Sequence, residues 1–239
     1  MLPLDISLLR RSFPNRRIDY YQTVDSTMTA AAPLPVGSIV LAEEQIAGQG
    51  RHGHTWHSEP YSGIYCSIVL QPAPLLTLAL GLATADAIAT AARITPDLRW
   101  PNDVLIGPRK IAGILVQLIN EKAIAGIGIN VNHTSFPPEL AGEATSVRLA
   151  LGRPISRDSI LLALIPAIGQ FTALDPPDIL RLFTRSSTYA AGRHVTVHQP
   201  GGDIEGVTAG LNSDGFLIVR QNDGTETLIL AGGVRAVGA

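Results

Sequence analysis

The chain has 239 residues, 46% of them hydrophobic and 16% charged, with a mean hydropathy of +0.23. That is ample apolar material for one large domain, alone or with a small appendage, and it excludes a disordered chain. A net charge of −2 lacks the basic excess of a general nucleic-acid binder, so no DNA partner is expected.

The N-terminal stretch MLPLDISLLRRSFPNRR places its basic residues after a short apolar run, the reverse of a secretory signal. A short helix near Ser7 leads to an extended RIDYYQTV, and DSTM offers an N-cap at Asp25 or Ser26 for a helix through Ala32. Gly37 to Gln45 and Ile64 to Leu70 read as strands flanking a glycine-rich loop. In the second strand the single cysteine, Cys66, alternates with Ile64, Ile68 and Leu70, which reads as core and not as a nucleophile. A lone cysteine excludes an intramolecular disulfide and fits a reducing compartment. Leu75 to Ile94 is the most membrane-like stretch, but Asp86 and its threonines and alanines make it a buried helix. A cytoplasmic protein with no membrane partner is expected.

Beyond it, LRWPNDVLI, RKIAGILVQLI and AIAGIGINVN are strand-like, the first two joined by a turn at Gly107 and Pro108. Ser156 caps a helix to about Leu174, and Pro176-Pro177 punctuate before another near Asp178 to Thr184. From Tyr189 onward short strands alternate with tight turns: HVTVHQ, FLIVRQ and TETLIL, with Asp214-Gly215 and Asp223-Gly224 at hairpin positions. The layout is a mixed α/β domain over 1–188 and a small β-barrel over 189–239.

The loop GQGRHGHTWHSEP, Gly48 to Pro60, carries glycines at GxGxxG spacing, His52, His54 and His57, and Arg51. A dinucleotide fingerprint needs a following helix and an acid about 20 positions on. Here Pro60 and Gly63 lead into a strand, and that reading fails. Zinc is disfavoured because no thiol lies nearby and the loop lacks the rigidity to fix ligand geometry; a solvated polar loop stays open as a reading. Arg51 is the one Lys or Arg between Arg17 and Arg93, and a lone cation amid glycines suits an anionic ligand. Lysine occurs only at Lys110 and Lys122, so Lys110 marks a position where a compact ammonium replaces this chain's usual arginine.

Taken in order, GQGRHGHTW, RWPNDV, RKIAGILVQ and GIGINVN resemble the biotin–protein ligases, whose segments read GRGRxGRxW, KWPND, RKxAGIL(V/I)E and G(I/A)GINxN. The likeness runs from Asp25 to Asn132. It implies an α+β fold: a mixed sheet with helices, of the class II aminoacyl-tRNA-synthetase-like kind, plus a C-terminal SH3-like β-barrel. The chain starts directly at the catalytic segment, so the short class without a DNA-binding helix-turn-helix is expected. The implied reaction joins biotin to ATP as biotinyl-5′-adenylate, then transfers it to a lysine of a biotin carboxyl carrier domain of a carboxylase. A monomer or homodimer is expected.

The resemblance also implies the site. Ser26, Thr27 and Met28 would meet the ureido end of biotin, with Gln45, Gln49, Gly50, Gly113 and Gly126 around the ligand. Arg51 and Lys110 would be the catalytic cations, touching both biotin and ATP. His54, Trp56, Asn102, Asp103 and Asn130 would serve the nucleotide, with Trp56 stacked near the adenine and Asp103 holding Mg²⁺. Gln49, His54 and Met28 depart from the family's arginine, arginine and asparagine, which removes charge and a polar contact from the loop and pocket. A lipoate–protein ligase of the same fold, and a biotin-binding module with impaired ligase activity, are the competing readings.

Overall fold

The computed structural model describes residues 2–199 and 201–237. Seven strands form one sheet: β1 (Ile18–Val24), β2 (Ile39–Gln45), β3 (Gly63–Leu70), β4 (Asp97–Arg99), β5 (Asp103–Ile106), β6 (Arg109–Ile119) and β7 (Lys122–Asn130). Their order is β1-β2-β3-β7-β6-β5-β4, with β1 and β2 parallel and every other pair antiparallel. β3 is buried on both faces. Ile64, Cys66 and Ile68 join the main core, while Val69 joins a smaller one with Met28 and Ala31. Period-2 alternation therefore splits this strand between two helical layers.

The main core is closed by α1 (Ile6–Ser12), α3 (Leu76–Ala92) and α5 (Arg157–Thr172). α3 is apolar almost all round because it is sandwiched between the sheet and α5; Asp86 lies on its exposed stripe. α2 (Thr27–Ala31) packs on the opposite face, over β2, β3 and β7. Its N-cap is Ser26, whose Oγ accepts from Met28 N at 3.3 Å. Lys122 Nζ donates to the carbonyls of Ala32 and Leu34 just past its end (2.9 and 2.8 Å), so this lysine is structural.

Two helices differ from expectation. In α6 (Pro176–Arg185) the two prolines are the first helical residues, capped by Asp175, because proline's missing N–H costs nothing in a first turn. A short α4 (Val147–Leu151) was not expected. Its cap Ser146 accepts from Leu149 N and donates to His133 O.

The C-terminal strands are β8 (Ala191–His198), β9 (Ile204–Leu211), β10 (Leu217–Arg220), β11 (Glu226–Ile229) and β12 (Gly233–Ala236). They form a five-stranded antiparallel sheet in the order β11-β10-β9-β8-β12. The expected barrel is corrected on one point: among the described residues β11 and β12 are edges that do not pair, so no hydrogen-bonded closure exists. Val195, Leu217, Val219 and Val234 belong to the same apolar cluster as the seven-stranded sheet's core. Trp100 Nε1 donates to Gly215 O at 2.8 Å across the junction. No described helix is long and apolar enough to cross a membrane.

Candidate active site

A cavity opens on the α2 face of the central strands. Its floor is set by register: Gly113 of β6 opposes Gly128 of β7, and Leu115 opposes Gly126. A Cβ on Gly126 would lie 2.7 Å from Met28 Sδ, one on Gly113 would lie 2.9 Å from both Lys110 Nζ and the Trp56 ring, and one on Gly128 would collide with the same indole. Side chains lie directly on the backbone at all three, most tightly at Gly128 under the indole. Gly128 escaped the sequence reading although its period-2 spacing from Gly126 points to the same face.

The open volume is about 50 Å³, whereas ligand pockets run to roughly 300–1,000 Å³. Met28 and Trp56 cover the rest of the floor, so a ligand enters only as they move. Trp56 Nε1 is buried without an acceptor among the described residues, a cost that an incoming acceptor atom would remove.

One end of the cavity is polar and uncharged. Gln45 Oε1 accepts from Thr27 N (2.9 Å) and Thr27 Oγ1 (3.0 Å), and Gln45 Nε2 donates to Ser58 Oγ (3.3 Å). Thr27 Oγ1 also pairs with Ser67 Oγ at 2.8 Å. Ser26, Gln49 and Gly50 also line the cavity. The loop itself is a tight excursion: Gln49 bridges Thr55, Gly50 N donates to His54 O (2.7 Å), and Arg51–Gly53 form a 3₁₀ turn.

The other end carries the charge. Arg51 Nη1 donates to Asn102 Oδ1 (3.0 Å), and Asn102 Nδ2 donates to Ile114 O (3.1 Å), so the RWPND turn holds the loop arginine against the cavity. Burial pushes the Arg51 guanidinium down from its usual value, while Asp103 opposes that. Lys110 arrives by a bulge. β5 pairs Val104 with Ala112 but Leu105 with Lys110, leaving Ile111 unopposed. The extra residue turns Lys110 toward Gly113. Lys110 Nζ sits 5.4 Å from the Trp56 ring centroid and 2.5 Å from Asp103 Oδ1.

Asp103, the expected magnesium ligand, has both carboxylate oxygens paired with cations in this structure. Oδ1 is held by Lys110, and Oδ2 by Arg99 at 2.7 Å. No group of three His, Cys, Asp or Glu suited to a metal is gathered among the described residues. Burial favours the neutral acid, but Lys110 and Arg99 outweigh it and hold the carboxyl below the usual range. Arg99 was missed in the sequence. The available signal was its i, i+4 placement from Asp103 across a turn, which makes the two a cross-strand pair.

His54 is exposed and off the cavity wall. Asn130 is buried, two positions beyond Gly128 on the same face of β7, and also outside the lining. His57 turns toward His133, with ring centroids 6.1 Å apart. Burial, then His57, pushes His133 down to about 4 from 6.5. The unfolded chain therefore takes up this proton first as pH falls. Stability should drop between about 6.5 and 4, and His133→Gln should flatten that part of a denaturation-versus-pH profile. An unchanged slope would remove His133 as its source.

Cys66 is buried in the core and its thiol is pushed up to about 12 by desolvation. It should resist alkylation until the protein unfolds, and Cys66→Ala should retain both steps of any acyl-transfer reaction. Loss of transfer in a folded variant would instead indicate a thioester route.

Comparison with known proteins places this geometry. Residues 16–133 match the biotin/lipoate A/B protein ligase family, and residues 191–234 match the biotin protein ligase C terminal domain. The biotin–[acetyl-CoA-carboxylase] ligase of Mycobacterium tuberculosis is 32% identical over 213 residues, covering 82% of this chain and 77% of that protein. The bifunctional ligase/repressor BirA of Bacillus subtilis is 30% identical over 250 residues, covering 93% and 75%. The biotin protein ligase from Aquifex aeolicus, solved in complex with biotin and ATP, superposes with a TM-score of 0.84 at 29% identity, over 92% of this chain and 99% of that one. The chain belongs to the biotin/lipoate A/B protein ligase family.

Proposed function

We propose that the protein is an ATP-dependent biotin–protein ligase. One observation carries this reading: among the described residues the cavity wall has two cations, Arg51 from the loop and Lys110 from β6, converging on a glycine floor. Adenylation brings two anions together. A carboxylate oxygen of biotin bonds to the α-phosphorus, the bond from phosphorus to the bridging oxygen breaks, and pyrophosphate leaves with that electron pair. Arg51 and Lys110 offset the repulsion and the charge that grows on the phosphoryl oxygens. In the second step an uncharged lysine amine of the acceptor attacks the carbonyl carbon, AMP departs, and the nitrogen releases a proton to solvent.

The Thr27–Gln45 end, polar and uncharged, suits the ureido group, and the glycine floor suits the flat bicycle once Trp56 and Met28 shift. The loop from Gly48 is then the segment that closes over the adenylate and excludes water. A wider apolar cleft of about 380 Å³ shares Arg51, Ile114 and Leu115 with the cavity and reaches Phe216 of the C-terminal region. It is the side from which nucleotide or acceptor would approach. Magnesium would come with the nucleotide's phosphates, and no step is assigned to protein-held metal. The acceptor is a biotin carboxyl carrier domain of a carboxylase.

The test is ATP–pyrophosphate exchange with biotin and, separately, with lipoate, followed by transfer to an isolated carrier domain. Biotin-dependent exchange and transfer are expected. Preference for lipoate would move the protein to the other branch of the family, and biotin binding without exchange would leave a binding module.

A further inference from the structure

Arg99 ends β4 and Asp103 begins β5, and the two are cross-strand partners over the intervening turn. Arg99 Nη2 and Nε lie 2.7 and 3.2 Å from Asp103 Oδ2. Lys110 Nζ holds the other oxygen. Each cation thus takes one oxygen of a carboxylate whose side chain is 14% exposed. Arg51, the third charge facing Asp103, acts at longer range.

This division raises a problem of charge balance. Lys110 is committed to Asp103, yet adenylation needs its ammonium on the substrate anions. Were Lys110 the carboxylate's sole cation, its departure would strand a nearly buried charge, which is what makes breaking a buried ion pair so costly. Arg99 removes that obstacle, because its permanently charged fork already sits on Oδ2. Arg99 is itself held from the far side. Its guanidinium lies 6.0 Å from the Tyr189 ring centroid, and Arg193 lies 5.0 Å from the same ring. Its neighbours are tied down as well: Ser187 Oγ donates to Leu98 O, Thr188 donates twice to Asp97, and Trp100 donates to Gly215.

We propose that Arg99 is a positioning residue for adenylation: it keeps Asp103 compensated so that Lys110 can turn from that carboxylate to the carboxylate of biotin and the α-phosphate. The inference rests on the ligase reading above.

The experiment is biotin-dependent ATP–pyrophosphate exchange by the full chain, comparing Arg99→Gln, Arg99→Lys, Asp103→Asn and the double variant Arg99→Gln/Asp103→Asn, with melting curves to establish folding. Arg99→Gln should lower kcat by roughly 10- to 100-fold, the scale of a small misplacement of a reacting group. The KM for biotin should change little, because Arg99 is not on the cavity wall. Arg99→Lys should keep most of the activity, since a cation still faces Asp103. In the Asp103→Asn background, Arg99→Gln should have no further effect, because no charge remains to be compensated. A residue that only packs β4 against Tyr189 would behave differently. Lysine and glutamine would then fail together, melting would fall, and both losses would persist beside Asp103→Asn. That pattern, or exchange by Arg99→Gln equal to the unaltered protein, overturns the inference and leaves the ligase reading standing. No exchange from the unaltered protein overturns both.

Discussion

Lys110→Ala should lower biotin-dependent ATP–pyrophosphate exchange by about 10²–10³-fold, the usual cost of removing one aimed charge from a water-poor site. Folding should survive, because Asp103 keeps Arg99 as a partner (2.7 Å) and the Lys110 backbone keeps its bonds to Glu143 and Thr145. Lys110→Arg should not restore the rate. The lysine tip already fills the space that a Cβ on Gly113 would need, with Cε and Nζ both 2.9 Å from that point, and a planar fork is bulkier and differently aimed. Exchange at a near-normal rate in Lys110→Ala, with an unaltered melting curve, would remove Lys110 from the reaction; in Lys110→Arg it would show that any cation there suffices.

Much of this site was legible in the sequence, for a physical reason. Each of its four segments has a local requirement that constrains residue type: glycines where side chains lie on backbone, a cap at Ser26, a turn at Pro101–Asn102, and an ammonium at the end of a bulge. Such requirements leave a readable trace because few residue types meet them. Ser26, Thr27, Gln45, Arg51, Lys110, Gly113 and Gly126 do meet on one cavity. What escaped depends on register. Arg99 looks like one more arginine until β4 and β5 pair, and Asp103 looks free until Arg99 and Lys110 arrive from two strands. The fold divides the same way. Long periodic stretches such as α3 and β3 read correctly, whereas β9 was missed because Gly206 and Gly210 weaken its strand pattern. Gly206 is there because a Cβ would collide with Arg220 O on β10, a tertiary demand with no local signal.

Arg157→Ala should destabilise the protein by about 3–5 kcal/mol, the cost of leaving one buried charge without its partner. Arg157 Nη1 lies 2.6 Å from Glu43 Oε2, with side chains only 4% and 1% exposed. The same guanidinium donates to Gly63 O (3.0 Å) and Leu2 O (2.8 Å), joining α5 to β3 and to the N-terminal segment. Glu43 Oε1 also accepts from Leu4 N (2.8 Å) and Tyr20 OH (2.9 Å). Burial, then the Glu43 hydrogen bond, pushes Tyr20 up to about 12, so it remains a donor at neutral pH. Two neutral donors would be left to solvate a carboxylate that water cannot reach. For a chain of this length the loss corresponds to a fall of roughly 6–20 °C in Tm, and to a lower urea midpoint with the slope unchanged. Glu43→Gln combined with Arg157→Met removes both charges. It should recover part of the stability but not all, because the Gly63 and Leu2 carbonyls lose their donor. A single-variant cost below about 1 kcal/mol, typical of an exposed ion pair, would show that water reaches Glu43 and that this network does not hold α5 to the strands carrying the site.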